Sequence, residues 1–221
     1  MNYEEQRHLM VERQLKSRGI KDEHVLAAME NVQRHLFIDE SLRDRAYEDS
    51  ALTIGEGQTI SQPYMVAVMT ELLELKGNEK VLEVGTGSGY QSAVLSMLAS
   101  EVFTVERVRP LALKVQEKFK KLGYTNVHVV LGDGTLGLPE QAPFDGIIVT
   151  AASPKIPDTY IRQLKVNGRL VIPVGSRYSQ MLYQVKNTPS GVRTSMSTPC
   201  VFVPLIGKYG WVNGSNNGDK K

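Results

Sequence analysis

The 221-residue chain holds one cysteine, one tryptophan and four histidines, and its net charge is only +2. Each scarcity removes a class of function. The lone Cys200 has no partner for an internal disulfide and no CxxC neighbour, which excludes a disulfide scaffold and a dithiol redox centre. His8, His24, His35 and His128 stand at no helical pair spacing, so no metal site is expected. A balance of 26 basic against 24 acidic side chains gives little general pull toward nucleic acid, and no nucleic-acid partner is expected. No apolar run approaches the roughly 18 residues of a membrane helix. The acidic start Asn2-Tyr3-Glu4-Glu5 is also unlike the basic opening of a signal peptide. The expectation is a cytoplasmic chain without a membrane partner. On oligomeric state the sequence is silent, and a monomer is the default.

What is present suits one α/β core: 41% apolar and 23% charged residues at a length that a single domain fills. The charges are unevenly spread, with 8 basic and 14 acidic residues in 1–75 against 18 and 10 in 76–221. Part of the basic half is Lys114, Lys118, Lys120 and Lys121 on one predicted helix, which reads as a solvated face. The first 75 residues read as helical. An apolar stripe through Leu9 and Leu15 ends at Gly19, a helix stop. Asp22 then caps a helix carrying Val25, Leu26, Met29 and Val32. Residues 47–59, with Gly55 and Gly57, break the pattern, and a third helix starts near Pro63 with Val66, Met69, Leu72 and Leu73 on its apolar side.

After Gly77 the rhythm changes. Runs rich in β-branched residues at 80–84, 101–105, 127–131, 144–150 and 169–174 have strand length. They alternate with helical segments at about 90–99, 110–122 and 157–165. Such alternation predicts a mostly parallel, doubly wound sheet. Runs at 181–186 and 196–203 have no helix between them and predict an antiparallel close, for about seven strands in all. The expected organisation is an N-terminal helical region with a loop over 1–76, a core over 77–212, and a tail over 213–221 that has no apolar side chain and reads as disordered.

The first strand of the core runs through Glu83 into Gly85-Thr86-Gly87-Ser88-Gly89 and then a helix, where open α/β sheets present backbone N–H groups to a nucleotide. Glu106, at the end of the next strand, stands where a carboxylate can accept from two ribose hydroxyls. The dinucleotide fingerprint needs a small residue at position 90, where this chain has Tyr90, and a turn that opens on Glu83 suits an amine-bearing ligand better than a pyrophosphate. These features point to S-adenosylmethionine. In Gly132-Asp133-Gly134 the carboxylate of Asp133, followed by Gly134, is placed to accept from an adenine amino group.

Residues 83–90, with Val105-Glu106-Arg107, Gly132-Asp133-Gly134, Phe144-Asp145-Gly146-Ile147 and 164–175, resemble the motif series of class I methyltransferases, whose fold is Rossmann-like. Ile54-Gly55-Glu56-Gly57-Gln58-Thr59-Ile60-Ser61-Gln62-Pro63 resembles the signature loop of the protein-L-isoaspartate O-methyltransferase family. The resemblance extends to Met10-Val11-Glu12-Arg13-Gln14-Leu15, Arg18-Gly19-Ile20 and Phe202-Val203-Pro204-Leu205-Ile206. One departure is Gln33, where the family usually has proline before Arg34; it touches a helix end rather than the site.

The resemblance implies transfer of the methyl group of S-adenosylmethionine to the free carboxylate of L-isoaspartyl residues in damaged proteins and peptides, leaving S-adenosyl-L-homocysteine. It implies that Ser61 orients the acceptor carboxylate. Ile54, Gly55 and Gly57 would help close over the cofactor, held by Glu83, Gly85, Gly87, Gly89, Glu106, Arg107, Asp133 and Gly134. Thr59, Ile60, Val203, Pro204, Leu205 and Ile206 would line the substrate groove, and the last four could offer a strand edge to an extended peptide. The chemistry suits a chain so poor in catalytic histidine, because an aspartyl-type carboxyl, which ordinarily titrates near pH ~3.9, is already ionised and needs no base. The alternative is a class I methyltransferase acting on RNA or a small molecule, but Val149-Thr150-Ala151-Ala152-Ser153-Pro154 offers nothing to stack a base or activate an amine. Tyr90 disfavours a nicotinamide oxidoreductase, and motif spacing alone does not separate an enzyme from a nucleoside-binding module.

Overall fold

The computed structural model describes residues 1–212; the expected tail and its Asn-Gly pairs at 213–214 and 217–218 lie outside the described residues. Helix α1 (Tyr3–Met10) opens on a capping box in which the Asn2 side chain accepts from the Glu5 N–H at 2.9 Å and Glu5 accepts from the Asn2 N–H at 3.1 Å. It runs on through a π turn (Val11–Leu15) and a 3₁₀ turn (Lys16–Arg18) to Gly19, whose φ of 95° stops it. Asp22 caps α2 (Glu23–Asn31) as its sequence suggests, accepting from His24 and Val25. The departure at Gln33 is harmless to the backbone. Its φ of −75° is one that proline imposes, and Val32 before it is extended as a residue preceding proline must be.

Residues 47–59 are not a plain loop. They include the antiparallel hairpin of β1 (Leu52–Gly55) and β2 (Gln58–Ile60), which reverses through Gly55, Glu56 and Gly57, all with positive φ. Helix α3 (Pro63–Glu71) follows, with proline in its first turn.

The core then alternates β3 (Lys80–Val84), α4 (Tyr90–Ser96), β4 (Glu101–Glu106), α5 (Arg109–Leu122), β5 (Val127–Leu131), β6 (Phe144–Val149), α6 (Asp158–Gln163) and β7 (Leu164–Gly175). The hairpin partners β8 (Gln180–Thr188) and β9 (Gly191–Cys200) close it. The order β5-β4-β3-β6-β7-β8-β9 is parallel through β7 and antiparallel after it. Successive residues face opposite layers. Val81, Val102, Ile148 and Val171 join the apolar cluster of α1, α2, α3, α4 and α5, while Leu82, Phe103, Ile147 and Leu170 join that of α6 on the other side. Both faces are therefore dry, which is why these strands read as unbroken apolar runs.

Several boundaries differ from expectation: the helix expected over 90–99 ends at Ser96, the strand expected from 169 begins at Leu164, and the strand expected to 203 ends at Cys200. The helix expected to 165 ends at Gln163, because Leu164 already pairs with Phe144 at the start of β7. β9 starts at Gly191 rather than 196; all its residues but Thr198 and Cys200 are exposed and its partner is backbone, so it carries no apolar alternation to read. The lysine run also divides. Lys120 and Lys121 are exposed, whereas Lys114 bonds Asp39 at 2.9 Å and Lys118 lies over the Phe37 ring, where burial lowers its pKa to about 8.

Glu74 ties the end of α3 to the antiparallel edge, accepting from Lys186 at 2.7 Å, Gln184 at 3.1 Å and Arg169 at 2.5 Å. Partial burial works against its charge, but these donors outweigh it and hold the carboxyl at about 2. A depressed carboxyl adds stability above its unfolded pKa and loses it as pH falls toward the folded value. Glu74→Gln is expected to lose about 1 kcal/mol at pH 7 after solvent screening, with the deficit vanishing between pH 4.5 and 2 in urea titrations.

Candidate active site

The strand order reverses direction between β3 and β6, and a cleft of about 400 Å³ opens at their carboxyl ends. Its floor is Glu83 to Ser88, Val105 to Val108, Gly134, Thr150 and Ala151; its walls are Glu56 to Ser61 of the hairpin, Val203 to Ile206 and Arg177.

The glycine turn is locked from β6. The Thr150 hydroxyl donates within reach of the Val84 carbonyl (3.0 Å) and the Gly85 carbonyl (2.6 Å). A Cβ on Gly85, whose φ is +101°, would stand 2.4 Å from that hydroxyl oxygen, so only glycine fits. Gly87 lines the cleft, but Gly89 does not. Gly89 is the N-cap of α4 and lets it approach α5, since a Cβ there would lie 2.8 Å from Val115. Tyr90 does not crowd the strand; its ring turns into the N-terminal layer, edge-on to Phe37 at 5.8 Å.

Glu106 is 5% exposed and braces the turn, accepting from the Gly87 N–H at 2.9 Å and the Val108 N–H at 2.8 Å. Each oxygen keeps a further lone pair for a ligand. Glu83 is fully buried beneath the cleft, where desolvation raises its carboxyl to about 8, and Glu106 adds to the rise. Ser92 donates to one oxygen, while Oε1 has no partner among the described residues. A buried orphan acceptor at the base of a cleft fits an ammonium-bearing ligand, and with Glu106 above it the donor and acceptor set fits S-adenosylmethionine.

Ser61 lines the cleft beside Thr59 and Ile60. It does not cap α3: that position belongs to Gln62, and among the described residues the Ser61 hydroxyl has no hydrogen-bond partner. Arg107, Val203, Pro204, Leu205 and Ile206 also border the cleft, and Gly57 joins from the hairpin tip. Ile54 is buried just before the hairpin's reversal; its Cδ1 would lie 3.5 Å from a Cβ on Gly87. Gly55 only turns the chain.

Asp133 departs from expectation. Its carboxylate accepts from the Thr135 N–H (2.9 Å), the Thr135 hydroxyl (2.7 Å) and the Lys208 N–H (2.9 Å), so it faces the C-terminal segment, and Gly134 alone of that pair borders the cleft. Those donors outweigh partial burial and hold its pKa down. Thr150 and Arg177 are cleft residues that the sequence does not mark, because their place at the cleft depends on strand order and not on spacing. Among the described residues no three His, Cys, Asp or Glu gather as a metal site, and no helix is long and apolar enough to cross a membrane.

Residues 4–210 match the family model described as protein-L-isoaspartate(D-aspartate) O-methyltransferase. The chain is 55% identical over 213 residues to the protein-L-isoaspartate O-methyltransferase of Geobacter metallireducens, covering 96% of this chain and 98% of that one. It is 53% identical over 206 residues to that of Methanoculleus marisnigri, covering 93% and 94%. Among solved structures it superposes on a protein-L-isoaspartate O-methyltransferase with a TM-score of 0.83 at 31% identity, covering 92% of this chain and 67% of that one. It also superposes, with a TM-score of 0.78 at 28% identity over 93% and 99%, on a Plasmodium falciparum protein assigned the same activity and solved with S-adenosyl-L-homocysteine. The Rossmann-like sheet, its cleft at the strand reversal and these full-length matches agree: the chain belongs to the protein-L-isoaspartate(D-aspartate) O-methyltransferase family.

Proposed function

We propose that Ser61 holds the acceptor carboxylate of an L-isoaspartyl residue at this cleft, and that Glu83, Glu106 and the turn around Gly85 and Gly87 hold S-adenosylmethionine. The observation that carries the reading is the pairing, on one cleft, of the uncommitted Ser61 hydroxyl with the orphaned Glu83 Oε1. When bound, the cofactor supplies an electrophilic methyl group on a sulfonium centre. The residues around it do not move a proton at the acceptor, which is already ionised. Ser61 donates to the carboxylate and fixes its direction, and the hairpin from Gly55 to Ile60 shields the site from water. Glu106 accepts from the ribose, Glu83 from the amino group, and Asp133 supports Gly134 from behind. In this reading residues 1–76 carry the acceptor loop and 77–212 the cofactor core.

Esterification turns the carboxylate into a better electrophile. The neighbouring backbone nitrogen displaces methanol, and the resulting succinimide opens partly to normal aspartate, so the product route is repair. The direct test is labelled-methyl transfer to an isoaspartyl peptide beside its normal-aspartyl twin. Transfer to the first alone is expected; equal labelling, or labelling of RNA instead, sinks the reading.

Two further outcomes follow from the site. Glu83 starts protonated near pH 7, and an ammonium ligand favours its anion, so binding of S-adenosyl-L-homocysteine is expected to release protons and to tighten with rising pH until about 8. Calorimetry in buffers of different ionisation enthalpy checks this, and a buffer-independent heat contradicts it. The Val203 carbonyl accepts from Ala152 at 2.8 Å, while its N–H has no partner among the described residues. If that N–H reads an extended peptide, Val203→Pro raises peptide KM about tenfold with cofactor affinity unchanged.

A further inference from the structure

Arg34 is the largest fully buried side chain of the described residues, at 0% exposure. Its Nε donates to the Ala46 carbonyl at 2.7 Å, and its guanidinium carbon lies 4.9 Å from the centre of the Tyr90 ring. Nη1 and Nη2 have no partner among the described residues, and Asp49, the nearby carboxylate, is bonded to Arg18. Burial lowers its pKa only to about 10, so it stays a cation. An interior guanidinium without a bonded carboxylate is costly, and an apolar side chain of similar volume would fill the space better if packing were its whole role.

Its two contacts belong to the two halves of the site. Ala46 begins the segment that enters β1, and the hairpin delivers Thr59, Ile60 and Ser61 to the cleft. That segment is pinned again at Tyr47, whose carbonyl accepts from Gln14 at 2.8 Å and whose hydroxyl meets His35 at 2.8 Å. Tyr90 is the first residue of α4, directly after the glycine turn, and it lines the cleft. The hairpin and the turn meet again where Ile54 approaches Gly87. We infer that Arg34 is a positioning residue for methyl transfer: it holds the acceptor loop through Ala46 and the cofactor turn through Tyr90, and so sets their separation. Its reach is specific to arginine. A planar fork can donate in plane to a carbonyl while offering its face to a ring, whereas a lysine ammonium is a point charge that serves one or the other.

The inference rests on the proposed role of Ser61, and the test separates the two. Arg34→Lys and Arg34→Met are made in the full chain. Binding of S-adenosyl-L-homocysteine is measured by calorimetry, and kcat and KM on an isoaspartyl peptide are measured well below each variant's unfolding midpoint. Lysine keeps a cation over Tyr90 but loses the Ala46 bond. Arg34→Lys is therefore expected to bind the cofactor product within about threefold of the parent while kcat/KM for the peptide falls about tenfold. Arg34→Met loses both arms, and about tenfold is expected in each quantity. Kinetic and binding constants within twofold of the parent in Arg34→Lys, whatever the loss in unfolding midpoint, would make Arg34 a packing residue and overturn the inference. An equal loss of affinity and of kcat/KM in Arg34→Lys overturns it too. If Arg34→Met does not fold, Arg34→Lys alone decides. A parent chain inactive on the isoaspartyl peptide instead faults the function, and that result is read before any variant is made.

Discussion

Ser61→Ala is expected to lower kcat on an isoaspartyl peptide about 100-fold, through loss of the in-line alignment of a carboxylate whose charge falls toward the transition state. Affinity for S-adenosyl-L-homocysteine stays within twofold, since Ser61 sits on the hairpin and not on the glycine turn. The unfolding midpoint stays where it was, because Gln62 and not Ser61 occupies the cap of α3 and the Ser61 hydroxyl makes no bond within the described chain. Ser61→Thr keeps the hydroxyl and should recover most of the rate. Steady-state kinetics with parallel calorimetry check this. A fall in cofactor affinity matching the fall in rate would assign the residue to loop structure.

Glu106→Ala is expected to act on the other substrate, weakening S-adenosyl-L-homocysteine binding about 100-fold, or roughly 2.7 kcal/mol. Two losses combine. The Gly87 and Val108 N–H groups lose the acceptor that now braces them at 2.9 and 2.8 Å, and an unpaired buried donor costs about 1–3 kcal/mol. The ligand hydroxyls lose their carboxylate as well. Glu106→Gln keeps one oxygen and brings a donor toward an N–H, so its affinity falls between those of alanine and the parent. At saturating cofactor the rate of Glu106→Ala stays within several-fold of the parent, which separates a binding residue from one that touches the acceptor. Unchanged affinity would leave Glu106 as a turn brace only.

The legible part of this protein is the part written in local pattern. Gly19 and Asp22 bound their helices as read, since a helix stop needs a positive φ and a cap needs a side-chain acceptor at one position. The alternation after Gly77 announces the parallel sheet, because strands dry on both faces are apolar throughout. Glu83, Gly85, Gly87 and Glu106 fall on one cleft as their spacing suggests, since all four lie at the ends of two adjacent strands. The hairpin at 52–60 is less legible, being only a few residues long and turned by a Gly-Glu-Gly reversal. The start of β9 is hidden because nothing on an exposed edge strand requires an apolar face.

By itself, then, the sequence determined the cofactor class and the sheet type, which rest on spacing between residues near in the chain, while the proposed acceptor loop came from resemblance to a family's signature loop and not from spacing. Only the tertiary structure decided which groups are committed and which are left open. Bringing β6 beside β3 put Thr150 against Gly85, and the C-terminal segment drew the Asp133 carboxylate away from the cleft. Packing of the N-terminal layer gave Tyr90 a place and set Arg34 between the two halves of the site. These are contacts between residues far apart in sequence, and loop closure over such distances leaves no local periodicity to read.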